Sequence, residues 1–126
     1  METKSHKKLN DIEPYKLAFS LSNYVWLKVN KWDHFQKTTV GSQFVRAVDS
    51  ISANIAEGFG RHGKKDKINF YRYARGSVFE CLDWDEKCKV RELLVKEDYD
   101  HIFYILQQLP RQINGLIKLT NDNLKV

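Results

Sequence analysis

The sequence predicts an all-α protein, an antiparallel up-down-up-down four-helix bundle forming a single domain over residues 1–126. Three observations carry that reading. The chain of 126 residues is long enough for one hydrophobic core and too short for two ordinary ones. Only two prolines and six glycines are present, fewer turn residues than a sandwich or barrel needs. Apolar residues recur at helical spacing in four segments, approximately 12–31, 40–57, 66–94 and 97–120. Helices of similar length joined by short loops pack as antiparallel neighbours.

The first helix opens near Ile12, where Asn10 or Asp11 is placed to cap it and Pro14 suits a first turn. Ala18, Leu21, Val25, Val29 and Trp32 form its stripe, which ends at Trp32-Asp33-His34-Phe35. The second helix is expected to begin at Thr38 or Thr39 as cap. It carries Val40, Phe44, Val48, Ile51 and Ile55, and ends at Gly58 and Gly60. The third starts near Lys65 or Asp66, with Phe70, Ala74, Ser77, Val78, Cys81, Trp84 and Cys88 on its apolar side. The fourth begins near Glu97 and repeats Ile102, Leu106, Leu109, Ile113 and Leu116, with Pro110 expected to kink it. Three Trp, six Tyr and seven Phe are many for a core this small, so some aromatics are expected to face another subunit.

Hydrophobic residues make up 42% and charged residues 29%, the balance of a folded water-soluble domain. No apolar run approaches a bilayer span. The N-terminal residues, polar and lysine-rich, have no signal-peptide character, so a cytoplasmic location is expected. Cys81 and Cys88 are two turns apart on one helix face, too far to bridge, and read as buried free thiols.

The net charge of +5 has an address. Residues 61–75 hold Arg61, Lys64, Lys65, Lys67, Arg72 and Arg75 against Asp66 alone, and the rest of the chain balances. Lysines at a helix start oppose the macrodipole, by a few tenths of a kcal/mol each. Free backbone N–H groups there favour an anion. With Tyr71 and Tyr73 close by, phosphate or RNA is a natural partner, and these six residues are the candidate nucleic-acid-binding set. A solubilising patch, or one paired with the acidic run Glu80, Asp83, Asp85 and Glu86 of a neighbouring subunit, is the alternative.

On the second helix Gln43, Arg46, Ser50, Asn54 and Glu57 fall within an arc of roughly 80°. They read as a structural polar seam at a helix–helix contact, since buried polar groups need partners. Glu57 has Arg61 four residues on. Arg46 is expected to make a partly buried contact with Glu80 of the third helix.

Other chemistries find little support. Gly58-x-Gly60-x-x-Gly63 matches a dinucleotide fingerprint, but a helix precedes it where a strand is required. The four histidines are scattered, and neither zinc spacing nor a Glu-x-x-His pair occurs. No nucleophile elbow is present. The expectation is therefore a non-enzymatic protein without catalytic residues, metal or cofactor.

The segment Gln43-x-x-Arg46-Ala47-x-x-Ser50-Ile51-x-x-Asn54-Ile55-Ala56-Glu57-Gly58, followed by Phe70, Ala74-x-Gly76-Ser77 and Glu80, resembles a known family. This is the bacterial four-helix-bundle family named after intervening sequences in 23S ribosomal RNA. Asp49 departs from the small or apolar residue expected before Ser50. The resemblance implies an up-down bundle and a ring of five subunits. The sequence is also similar to the accessory proteins of diversity-generating retroelements, basic pentamers that bind nucleic acid and a reverse transcriptase. The leading expectation is a homo-oligomer that binds RNA or another nucleic acid through the basic loop. The competing one is an oligomeric scaffold for a protein partner, with no direct nucleic-acid contact.

Overall fold

The computed structural model describes residues 8–125. The polar N-terminus that bears on the expectation of no signal peptide lies largely outside them. After a single 3₁₀ turn, Leu9–Asp11, the order is α1 (Glu13–Val29), a short α2 (His34–Gln36), α3 (Ser42–Gly60), α4 (Lys64–Val90) and α5 (Lys96–Asn123). Four long helices thus make the bundle, and no strand occurs among the described residues.

Cross-helix contacts fix the direction of each helix. Ser22 donates to Asp49 while Val29 packs at Gly41, so α1 and α3 run antiparallel. Ser50 meets Ser77 while Gly58 packs on Tyr71, so α3 and α4 are antiparallel. Arg75 donates to Asn114 while Tyr99 donates to Glu86 at 2.7 Å, which reverses α5 against α4. Tyr24 closes the ring, donating to Asp98 Oδ1 at 2.7 Å with its ring tilted against that of His101, 4.3 Å between centroids. Lys28 reaches the same Asp98 carboxylate at 3.4 Å. Burial first, then this hydrogen bond, pushes the Tyr24 phenol up to about 12.

One core runs through the bundle. Leu21, Val25, Phe44, Val48, Ile51, Ile55, Val78, Ile102, Leu106, Leu109 and Ile113 are all buried in it. These are largely the stripes read from the sequence. Cys81 and Cys88 are buried free thiols, as expected, and burial raises both pKa values, that of Cys88 to about 12.

Several helix ends differ from expectation. Asn10 and Asp11 sit in the 3₁₀ turn, and Ile12 is the N-cap of α1 without a side-chain cap. The helical run leading into α3 begins at His34, not at Val40. Asp33 caps it, accepting from Gln36 N at 2.9 Å while Gln36 Oε1 accepts from Asp33 N at 3.3 Å. This reciprocal pair satisfies two backbone donors at the start of the run, so the helix needs no cap at Thr38 or Thr39. Those threonines instead donate to the carbonyls of His34 and Phe35, one turn back. A π-turn at Lys37–Gly41 then joins α2 to α3. Gly41 is required there, because a Cβ would lie 2.7 Å from Val29 Cγ1. At the other end, α4 stops at Val90. Glu92 adopts φ 58°, and Leu93 N donates to Cys88 O at 2.8 Å. That left-handed residue closes the helix end without glycine. Helix α5 continues through Pro110 to Asn123.

Candidate nucleic-acid interface

The α3–α4 turn is short and tightly held. Gly58 allows it: a Cβ there would stand 2.6 Å from Tyr71 Cε1 and 3.1 Å from the Lys67 carbonyl. Lys67 donates to the Gly58 and Phe59 carbonyls at 3.2 and 2.8 Å. Both carbonyls belong to the last turn of α3, where Gly58 O also accepts from Arg61 N at 3.2 Å, and a cation suits that negative pole. Burial lowers the Lys67 pKa. Lys67 is therefore a C-terminal clamp for α3, a role the sequence reading did not assign it.

The other five basic residues divide by what they touch. Arg61 pairs with Glu57 at 2.9 Å, the i,i+4 partner expected, and lies 4.7 Å over the Phe70 ring. Arg75 turns toward α5 and donates to Asn114. Lys64, Lys65 and Arg72 line one groove with Ile68, Asn69 and Lys125. None of these four cations makes an ion pair within the described residues. The helical periodicity of α4 puts Lys65 and Arg72, two turns apart, on its outer face. Lys125, from the end of the chain, was not among the residues singled out, because only the fold brings it to the start of α4.

The polar seam is smaller than expected. Ser50 donates to Ser77 across α3 and α4 at 2.7 Å, and Asn54 donates to Ser50 O at 2.8 Å. Gln43, Arg46 and Glu57 are exposed. The expected Arg46–Glu80 contact is absent, and Glu80 is exposed as well. The cause is angular. At about 100° per residue, Arg46 stands about 150° from the midline of the buried α3 stripe, and Glu80 stands about as far from that of α4. Both point away from the interface, which small hydroxyls fill instead. Arg46 lies beside Trp26, Val45 and Asp49 in a groove on the α1 side.

Asp85 is the residue the sequence reading misplaced. Counted with an acidic surface run, it is fully buried, and neither carboxylate oxygen has a hydrogen-bond partner. Burial, then the negative charges of Glu86 and Asp100, pushes its pKa up to about 8, against a weaker opposing pull from Lys89. The signal was available: Asp85 is four residues after Cys81 and three before Cys88, on the apolar stripe itself.

Among the described residues no group of three or more His, Cys, Asp or Glu is placed to hold a metal ion. Among the described residues no helix is long and apolar enough to cross a membrane. No curated protein matches the sequence. A solved structure of a protein of unknown function from the S23 ribosomal protein family of Bacteroides thetaiotaomicron superposes with a TM-score of 0.77 at 22% identity. The match covers 83% of this chain and 95% of that one. At that identity the likeness establishes the bundle fold. The family described as 23S rRNA-intervening sequence protein matches residues 10–115. The chain belongs to that family.

Proposed function

We propose that this protein is a non-enzymatic, cytoplasmic, homo-oligomeric bundle that binds RNA through the basic surface at the start of α4. The observation that carries the reading is the set Lys64, Lys65, Arg72 and Lys125. These four cations share one groove without an acid among the described residues to neutralise them. Their neighbours Lys67 and Arg75 hold the scaffold, and Arg61 borders the patch. A polyanion supplies the missing charge, and release of its counterions drives binding. The family name points the same way, toward an RNA-associated role.

Assembly strengthens such a surface. Phe19, Trp26, Phe35 and Tyr104 are each more than half exposed. That is the aromatic surplus a subunit interface uses. A ring, five-membered by family resemblance, repeats the basic patch and multiplies weak phosphate contacts through avidity. The test is a gel shift with structured RNA. Lys64→Glu, Lys65→Glu and Arg72→Glu combined should abolish the shift and leave helix content unchanged. An unchanged shift overturns the assignment of this surface, and a protein partner then becomes the better reading.

A further inference from the structure

Beyond the cations, α4 presents a facet that electrostatics does not explain. Tyr73 and Phe79 are both 58% exposed. Between them lies Gly76, three residues from each, in the middle of a 27-residue helix. Glycine there costs about 1 kcal/mol relative to alanine. Nothing among the described residues asks for it: a Cβ at Gly76 would meet none of their atoms within 4 Å. The result is a strip of bare backbone flanked by two rings, a place where an outside group can approach closely.

Tyr73 is held ready. Its ring meets Phe70 edge-on at 5.5 Å and 85°, and Arg61 covers Phe70 in turn. The Tyr73 hydroxyl makes no hydrogen bond to the described residues, so its polar end is also available. Arg72 stands about 100° around α4 from Tyr73 and Lys65 lies two turns before Arg72 on the same outer face, with Gly76 between this pair and Tyr73 around the helix. From Lys65 to Phe79 the facet extends about 21 Å along the axis. Beyond it Glu80 and Asp83 end the basic character.

We propose that this facet binds single-stranded RNA, with an unpaired base stacked on Tyr73 and the backbone held by Lys65 and Arg72. The inference rests on the RNA reading above and specifies the form of RNA. A duplex buries its base faces and offers a protein mainly phosphates and 2′-hydroxyls, so it has no use for exposed rings. An unpaired base has a free face, and stacking on an aromatic side chain accounts for a large share of single-strand affinity. The charge beside the rings matches a phosphate backbone.

The experiment is fluorescence anisotropy with a labelled 12-nucleotide unstructured RNA and with the same RNA annealed to its complement. Wild type, Tyr73→Leu and Tyr73→Phe are compared, with light scattering on each. The single strand should bind the wild type more tightly than the duplex. Tyr73→Leu should weaken single-strand binding roughly 5- to 150-fold, the range for one stacked base. Tyr73→Phe should retain it, and duplex binding should not change. Equal single-strand affinity in Tyr73→Leu, or equal affinity of wild type for both RNAs, overturns the stacking proposal and leaves the basic-surface reading standing. Dissociation of the assembly in Tyr73→Leu assigns the facet to a second copy of the chain and overturns the proposal too. Failure of wild type to bind either RNA removes the underlying reading itself.

Discussion

Replacing Asp85 should change how stability depends on pH more than it changes the fold. Its folded pKa of about 8 stands against an ordinary value of 3.8. Between these values the unfolded chain has released the proton and the folded chain keeps it. The unfolded state then binds fewer protons, and stability falls as pH rises. The loss begins near pH 4, grows by about 1.4 kcal/mol per unit and levels off above pH 8. Near pH 5 the penalty is on the order of 2 kcal/mol and near pH 8 on the order of 5 kcal/mol, on the same scale. Asp85→Asn keeps the shape and removes the ionisation. Whatever its constant effect on packing, its stability relative to wild type should improve by about 3–4 kcal/mol between pH 5 and pH 8. Asp85→Leu should show the same trend and also relieve two unsatisfied oxygens. Urea unfolding at fixed protomer concentration, repeated at pH 5, 6, 7 and 8, measures this directly. A stability difference between wild type and Asp85→Asn that stays constant across that range would refute the argument.

Other positions give sharper structural tests. Gly58→Ala should destabilise by about 1–3 kcal/mol despite better helix propensity, because the new methyl collides with Tyr71 and the Lys67 carbonyl; a higher urea midpoint would contradict the close approach. Lys67→Met should lower stability by about 1–2 kcal/mol, since two α3 carbonyls lose a charged donor. Its effect on RNA affinity should be far smaller than that of Lys65→Glu, as read by anisotropy. Arg46→Ala should cost less than about 0.5 kcal/mol, the scale of an exposed surface change; a loss of 3 kcal/mol in a thermal melt would show a buried partner.

What was legible in the sequence is mostly periodicity. The stripes Phe44–Val48–Ile51–Ile55 and Ile102–Leu106–Leu109–Ile113 predicted buried faces, and those faces are buried. Periodicity also named Ser50 and Asn54 as seam residues. It failed where pairing depends on the angle between two helices. Arg46 and Glu80 match in charge and in level along the bundle, yet both turn outward, which a single helical wheel does not reveal. Residue type also outweighed register at Asp85, where an acid on an apolar stripe was counted with its charged neighbours. Among the basic residues, composition located the cluster, but only coordinates separate Lys67 and Arg75, which hold helices together, from Lys64, Lys65 and Arg72.

The salt dependence of RNA binding bears most directly on the central claim. If Lys64, Lys65 and Arg72 each neutralise a phosphate, log affinity against log salt should fall with a slope of about −2 per engaged protomer for a single strand. Reversing the three charges should flatten that slope as it weakens binding. A wild-type affinity that is indifferent to salt, or a slope that persists in the reversed variant, would contradict the account.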